Sequence, residues 1–102
     1  MAVVYIAGPM TGLPEHNYPA FHAAAAMLRG RGHDVRNPAE HNLGDGQPRE
    51  TYLRHGLRLL LDCDEVCLLP GWRGSAGARL EFAVAHELGM TIWSLEGEIR
   101  GT

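Results

Sequence analysis

The residues with the clearest chemical potential lie in one segment, residues 75–81. Ser75 is a good N-cap for a helix, and the first-turn amides after such a cap have no partners within the helix. Gly77 removes a side chain where another group could approach closely. Together these residues predict an anion site of the kind that helix N-termini offer. An ordinary cap followed by a packing glycine explains the same pattern, and the segment alone leaves both interpretations open.

Glu81 lies within the predicted inward stripe of that helix. The stripe follows i, i+3, i+4, i+7, i+8 and i+11 spacing, and its members are Gly77, Leu80, Glu81, Val84, Ala85 and Leu88. A carboxylate in such a stripe must be paired, hydrogen-bonded or facing a cavity, because burying it alone is costly. One interpretation is a structural salt bridge, and the candidate partners are Arg54, Arg58 or Arg79 of a neighbouring subunit. The other is a carboxylate beside a ligand, which could attack a sugar carbon or accept hydrogen bonds from sugar hydroxyls.

The glycine- and proline-rich loop at residues 8–12 is a second candidate. It matches neither the dinucleotide-binding G-x-G-x-x-G pattern nor a Walker phosphate loop. Its glycines could let the backbone approach a base or a sugar. Trp72 lies in a second such loop, where it could shape the pocket or an interface. Asp64 starts a strand at the opposite end of the sheet, so we expect a structural role for it.

Four strands and three helices must position these residues. The predicted strands cover residues 2–6, 33–36, 65–69 and 91–94, and the predicted helices cover residues 18–29, 48–61 and 76–88. This alternation predicts a single α/β domain, residues 1–102, with a parallel sheet covered on both faces and right-handed crossovers. Ligands in such sheets bind beyond the carboxyl ends of the strands, where the loops after strands one and three lie.

Periodicity predicts which side chains these helices bury. In the first helix they are Phe21, Ala24, Ala25 and Leu28, and in the second they are Leu53, Leu57 and Leu60. Asn17 is the predicted cap of the first helix. Cys63 and Cys67 are too few for a disulfide framework or a zinc site, so we interpret them as small buried hydrophobes.

Composition excludes several classes of function. The net charge of −3 lacks the basic footprint that a nucleic-acid polymer requires, whereas backbone amides can bind a small phosphorylated ligand without any net positive charge. The six histidines form no metal-binding pair with a matching acid, so we assign no metal and no cofactor. There is no signal-peptide pattern and no 18-residue apolar run, and we therefore expect a cytoplasmic protein without a membrane partner.

Three segments together resemble a known family: residues 5–12, residues 17–21 and residues 63–81. In order, they are similar to small phage and bacterial proteins related to nucleoside 2-deoxyribosyltransferases and nucleoside 5′-monophosphate N-glycosidases. The resemblance covers nearly the whole chain. It implies a flavodoxin-like three-layer sandwich with a mostly parallel sheet of four or five strands. It also implies a homodimer or higher homo-oligomer with sites near the subunit interfaces.

The resemblance also implies roles for individual residues. Glu81 would be the nucleophile that attacks the anomeric carbon of a nucleoside or nucleotide, and Ser75 and Gly77 would contact its phosphate. The residues that would line the sugar and base pocket are Tyr5, Gly8, Pro9, Met10 and Gly12.

One position departs from the family pattern. The family places an aspartate eight residues before the position of Asp64, and this chain has Gly56 there. His55 is adjacent, but on an ideal helix it is rotated by about 100°. Three hypotheses follow: a hydrolase or deoxyribosyltransferase acting on the N-glycosidic bond, a nucleotide-binding module without catalysis, and a structural oligomer with a vestigial cleft.

Overall fold

A computed structural model describes residues 2–41, 43 and 46–95. Its strands are β1 (Val3–Ala7), β2 (Asp34–Arg36), β3 (Glu65–Leu68) and β4 (Thr91–Ser94), and its α-helices are α1 (Tyr18–Gly30), α2 (Arg49–Leu61) and α3 (Ala76–Glu87). The predicted order of elements is confirmed, and each boundary lies within one residue of its prediction. No helix of the described residues is long and apolar enough to cross a membrane.

The described strands form one four-stranded parallel sheet in the order β2-β1-β3-β4. The predicted α/β fold with a parallel sheet is therefore confirmed. The chain moves from β1 to β2 on one side and then returns past β1 to β3. In the register of these two central strands Ala7 pairs with Leu68, so their carboxyl ends meet. This reversal creates the crevice in which parallel sheets bind ligands.

The two faces of the sheet bury different side chains because neighbours along a strand point to opposite faces. Val4 and Ile6 pack with the apolar stripe of α1 in one cluster. Tyr5 and Ala7 face the other way and share a cluster with residues of α2 and α3. The sheet is therefore covered on both faces, and Tyr5 points towards the two helices that border the crevice.

The predicted inward stripe of α1 is confirmed, whereas that of α3 is partly wrong. The buried residues of α3 are Ala78, Glu81 and Ala85, while Leu80 and Leu88 are 41% and 56% exposed. Ala78 and Ala85 pack in the cluster on that face of the sheet, and the two leucines lie outside it. In α2 the buried positions are Gly56 and Leu60.

The polar and sulfur-containing residues near β3 have structural surroundings. Asp64 Oδ2 accepts a hydrogen bond from the amide of Val3 at 3.1 Å, which confirms its predicted structural role. Cys67 is buried and Cys63 is half-buried, and neither forms a disulfide bond within the described residues. Burial raises the pKa of Cys63 to about 11, so this thiol is protonated at neutral pH.

Candidate functional site

A cavity of about 680 Å³ opens at the carboxyl end of β1. Its walls come from β1 and the following loop, the start of α1, the segment after β2, and the starts of α2 and α3. The residues expected in the site that line this cavity are Tyr5, Gly8, Met10, Gly12, Gly77 and Glu81. Pro9 and Ser75, which were also expected in the site, are not among the lining residues, and each supports a neighbouring segment instead.

A short hydrogen bond joins the two deepest polar groups of the cavity. The hydroxyl of Tyr5 donates to Oε2 of Glu81 at 2.5 Å, and the two side chains are 1% and 8% exposed. Burial raises the pKa of Glu81 to about 7, and the Tyr5 hydrogen bond opposes that rise. Burial and the adjacent carboxylate raise the pKa of Tyr5, so its hydroxyl keeps its proton and remains the donor.

The hydrogen-bond partner of Glu81 bears on the two interpretations of its burial. Among the contacts of the described residues, Glu81 is hydrogen-bonded to Tyr5 and forms no ion pair with Arg54 or Arg58, so the interpretation as a salt bridge within the chain is not supported. The guanidinium of Arg79 in the same chain donates to the carbonyl of Arg73 at 2.8 Å. Glu81 is thus a carboxylate held by a neutral donor beside a cavity.

Gly56 lies directly against this hydrogen bond. A Cβ atom at this position would lie 2.6 Å from Oε2 of Glu81 and 2.8 Å from the hydroxyl oxygen of Tyr5. Both distances are shorter than any normal contact, so a side chain here would force the Glu81 carboxylate to move. The inward direction predicted for this position is confirmed, and the absence of a side chain leaves room for the hydrogen bond in its present geometry.

The start of α3 is built as predicted. Ser75 Oγ accepts a hydrogen bond from the amide of Ala78 at 3.2 Å, which confirms it as the N-cap. The carbonyl of Ser75 accepts from the amide of Arg79 at 2.9 Å. The amides of Ala76 and Gly77 are the first-turn donors that Ser75 does not engage, and Gly77 lines the cavity.

The loop after β1 shapes the mouth of the cavity. A Cβ atom at Gly8 would lie 2.8 Å from Cβ of Leu69, so only glycine lets the loop pass this close to the end of β3. Glu15, His16 and Asn17 have positive φ angles of 53°, 53° and 61°. The predicted side-chain cap at Asn17 is wrong, because in this conformation its Nδ2 donates to the carbonyl of Pro9 at 2.9 Å.

The opposite side of the cavity contains residues that were not predicted as site residues, although His55 was noted as the neighbour of Gly56. We call Tyr5, Gly77 and Glu81 the inner wall, and His41, Arg49, Tyr52 and His55 the outer wall. The rings of His41 and His55 pack with their centroids 4.8 Å apart. A weak signal existed for the outer wall, since the predicted loop after β2 and the helix that follows it concentrate histidine, arginine and tyrosine.

Two further features lie outside this chemistry. Trp72 stacks on Phe82 with 4.9 Å between ring centroids, and the guanidinium of Arg73 covers it, so Trp72 supports the start of α3 from outside the cavity lining. Across residues 2–41, 43 and 46–95, no cluster of three His, Cys, Asp or Glu side chains could hold a metal ion.

A family model described as Domain of unknown function (DUF4406) matches residues 2–94. The chain belongs to the DUF4406 family. A search of curated protein sequences found no match for this DUF4406 chain.

Two solved structures have the same fold as this DUF4406 chain. One is a 2-deoxyribosyltransferase from Bacillus psychrosaccharolyticus, with 21% identity and a TM-score of 0.71 over 91% of this chain and 71% of that protein. The other is a 2-desoxiribosyltransferase from Leishmania mexicana, with 17% identity and a TM-score of 0.71. That match covers 92% of this chain and 63% of the Leishmania protein, so the chain spans less than two thirds of it. The chain therefore has a nucleoside 2-deoxyribosyltransferase-like, flavodoxin-like fold, as the resemblance implied.

Proposed function

We propose that this DUF4406 protein is an enzyme that cleaves the N-glycosidic bond of a nucleoside or a nucleoside 5′-monophosphate. The observation that carries the proposal is the buried Glu81 carboxylate, hydrogen-bonded to Tyr5 and facing a cavity at the switch point of the sheet. The two solved structures with this fold are deoxyribosyltransferases, which supports the same class of chemistry.

In the proposed reaction Glu81 is the nucleophile. Its Oε2 is held by Tyr5, so Oε1 attacks the anomeric carbon of the sugar and a covalent glycosyl-enzyme forms. The carbon–nitrogen bond breaks, and its electron pair leaves with the base. Attack by water on the glycosyl-enzyme completes hydrolysis, whereas attack by a second base completes transfer. The Tyr5 hydrogen bond favours the ionised carboxylate that the attack requires.

The cavity suits a ligand of this class. A volume of about 680 Å³ lies within the usual range for small-molecule pockets. We assign the sugar and base to the part lined by Tyr5, Gly8, Met10 and Gly12, with Pro9 shaping that loop through its carbonyl. We assign a phosphate or a ribose oxygen to the first-turn amides of α3, including that of Gly77, and Ser75 caps the helix start.

The test is the release of free base from nucleosides and their 5′-monophosphates, in ribose and deoxyribose forms, measured by liquid chromatography. We expect Glu81→Gln to lower turnover by roughly 10⁴-fold or more, as loss of a covalent nucleophile does. Glu87→Gln is the matched control, because Glu87 is an exposed glutamate on the same helix. Equal background release by the wild type, Glu81→Gln and Glu87→Gln would exclude the catalytic role.

A nucleotide-binding module without catalysis is the second candidate. Two observations favour it: the acidic position of the family pattern is Gly56, and the pKa of Glu81, raised to about 7, leaves part of this carboxyl protonated at neutral pH. This candidate predicts saturable nucleotide binding by calorimetry with no release of base. A chain that binds no nucleoside or nucleotide at all would instead fit a structural oligomer.

The homo-oligomeric state and the cytoplasmic location expected from the sequence stay predictions. Light scattering coupled to size-exclusion chromatography measures the first directly. A dimer or larger assembly is the expected result, and a monomer at micromolar concentration would contradict it.

A further inference from the structure

The rim of the cavity carries a positive charge that the proposed mechanism does not use. Arg49, the first residue of α2, lines the cavity and is exposed to solvent. Its guanidinium forms no hydrogen bond or ion pair with the part of the chain that the structure describes. A guanidinium presents a planar set of donors that matches phosphate and carboxylate oxygens. Arg49 is therefore a cationic group that is available to an anionic part of a ligand.

The carboxyl groups that line the described cavity, Glu40 and Glu81, leave this charge uncompensated. Glu40 is engaged by Arg29, whose guanidinium donates to both of its carboxylate oxygens at 2.6 and 2.8 Å. Glu81 accepts from the hydroxyl of Tyr5, and burial raises its pKa to about 7, so at neutral pH part of this carboxyl is uncharged. The cavity thus combines a cationic rim with a partly neutral floor. This charge distribution favours a ligand that carries more negative charge than a nucleoside.

The register of α2 and α3 gives the position of Arg49 relative to Glu81. A Cβ atom at Gly77 would lie 3.2 Å from Cδ2 of Leu53, and one at Gly56 would lie 2.6 Å from Oε2 of Glu81. The two helices therefore run side by side in the same direction. Gly77 is level with Leu53 and lies one turn, about 6 Å, before Glu81. Arg49 precedes Leu53 by four residues, so it lies on the same helix face and about 6 Å beyond the level of Gly77.

Glu81, the start of α3 and Arg49 thus follow one another from the floor of the cavity to its rim. In the proposed function, on which this inference rests, the anomeric carbon meets Glu81 and the first phosphate meets the amide of Gly77. A second phosphate joined to the first continues towards the rim. We infer that Arg49 binds this second phosphate, so that the ligands of the cavity are nucleosides with a 5′-diphosphate group, either free or linked to a second nucleoside.

The first test compares ligands that differ only in the number of phosphates. Nucleosides, their 5′-monophosphates and their 5′-diphosphates are titrated by calorimetry into Glu81→Gln protein, which lacks the proposed nucleophile and leaves the ligands intact. EDTA is present, so that no divalent cation neutralises the diphosphate. The diphosphate should bind roughly 10- to 100-fold more tightly than the monophosphate, the contribution typical of a hydrogen bond to a charged group.

Adding Arg49→Gln to this protein should abolish the preference for the diphosphate and leave the affinity for the monophosphate nearly unchanged. Arg54→Gln is the matched control, because Arg54 is an exposed arginine of the same helix that lies outside the cavity lining, and its loss changes the net charge equally. Equal weakening of both nucleotides by Arg49→Gln would place this arginine on the first phosphate and overturn the inference. So would a preference that Arg49→Gln leaves intact, or one that Arg54→Gln also abolishes.

Base release by the wild type separates this inference from the proposed function. If no base is released but the preference for the diphosphate depends on Arg49, the proposed function fails and the inference stands. If base is released while the monophosphate and the diphosphate bind equally, the inference fails and the proposed function stands.

A dinucleotide linked through a diphosphate distinguishes the two sources of this group. Binding of the nucleoside diphosphate alone, lost in Arg49→Gln, assigns the site to the free form, whereas equal binding of the dinucleotide shows that a second nucleoside is accepted. If none of these ligands binds, the inference is overturned.

Discussion

The inner and outer walls of the cavity are built in different ways. The inner wall stands on the end of a central strand and on the buried face of α3, and its Tyr5 and Glu81 are almost fully buried. The outer wall stands on a helix start and on the segment after an edge strand; Arg49 and His41 are exposed there, and His55 is half-buried. The inner wall is therefore fixed by packing of the whole sheet, whereas local segments set the outer wall. We expect the bond-breaking chemistry to reside in the inner wall.

The largest expected effect is on the free energy of unfolding, whose dependence on pH should differ between Glu81 of the inner wall and His55 of the outer wall. Burial raises the pKa of Glu81 from 4.5 to about 7, so the folded protein binds this proton more tightly than the unfolded chain does. The stabilising contribution of the protonated group is complete below pH 4.5 and is lost as the pH rises through about 7. Glu81→Gln should therefore raise the free energy of unfolding at pH 8 by up to about 3 kcal/mol, and the gain should vanish near pH 4.

Urea unfolding at several pH values measures this difference, and His55→Gln is the comparison from the outer wall. The pKa of His55 is lowered by burial, so its contribution has the opposite sign and weakens as the pH falls below 6.5. Parallel pH dependences for the two glutamine variants would contradict the distinction between the walls.

The next largest effect is expected on turnover when Gly56, which lies between the two walls, is replaced. In Gly56→Ala the new Cβ would lie 2.6 Å from Oε2 of Glu81, so the carboxylate must leave its place beside Tyr5. A misplacement of about 1 Å in a reacting group can lower turnover by roughly 10²-fold, and we expect a loss of that size. Gly56→Asp should suffer the same displacement, with a second carboxylate raising the pKa of Glu81 further.

Gly30→Ala provides the control for helix propensity, because a Cβ at the end of α1 meets no atom within 4 Å. Kinetics of base release compare the two alanine variants. Unchanged turnover in Gly56→Ala would show that Glu81 does not need its present position.

A smaller effect is expected from Tyr5→Phe. Hydrogen bonds to charged groups contribute about 1.5–3 kcal/mol, so turnover should fall by roughly 10- to 100-fold. The Tyr5 hydrogen bond also lowers the pKa of Glu81, and its removal should shift the acid limb of the pH–rate profile to higher pH. Combining Tyr5→Phe with Glu81→Gln should cause no further loss, because both changes act on one interaction; additive losses would contradict this.

The smallest effect is expected on stability when Ser75, the cap of the helix that carries Gly77 and Glu81, is replaced. Ser75→Ala removes the hydroxyl that accepts from the amide of Ala78, and such a loss lowers the free energy of unfolding by about 1 kcal/mol. Ser75→Gly should lower it by only a few tenths of a kcal/mol. Urea titrations compare the two variants. Equal stability of Ser75→Ala and the wild type would show that the Ser75 hydroxyl does not stabilise the start of the helix.

The sequence predicted the inner wall better than the outer wall, for physical reasons. Strands and helices repeat with fixed periods, so the order of elements and the inward direction of Glu81 and Gly56 were accessible from spacing. The hydrogen-bond partner of Glu81 could not be predicted, because the spacing along α3 does not show that Tyr5 on β1 lies beside it. Leu80 and Leu88 were wrongly predicted to be buried, because they are hydrophobic and match the helical spacing. In the structure the smaller alanines of α3 are buried instead.

Apart from His55, which was noted as the neighbour of Gly56, the outer wall was missed because its residues carry no periodic signal. His41 follows a 3₁₀ turn, Pro38–Glu40, and exposed polar side chains in such turns look like any solvated loop. The turn is positioned by contacts that spacing does not reveal. Arg29 on α1 pairs with Glu40 at 2.6 Å, and the buried Asn37 accepts from the amide of Ala39 at 3.0 Å.

The three left-handed residues at the mouth of the cavity carry a cost in stability. Glycine adopts positive φ without steric penalty, whereas each side chain there costs on the order of 1 kcal/mol or more. Glu15, His16 and Asn17 thus mark a place where the chain lies below its stability optimum, and glycine at Glu15 would be a stabilising substitution. At His16 and Asn17 the same replacement would remove a cavity-lining ring and the bond to Pro9. The loop is therefore less stable than it could be, and its conformation shapes the opening of the cavity. Proteins commonly have such reduced stability where they bind ligands.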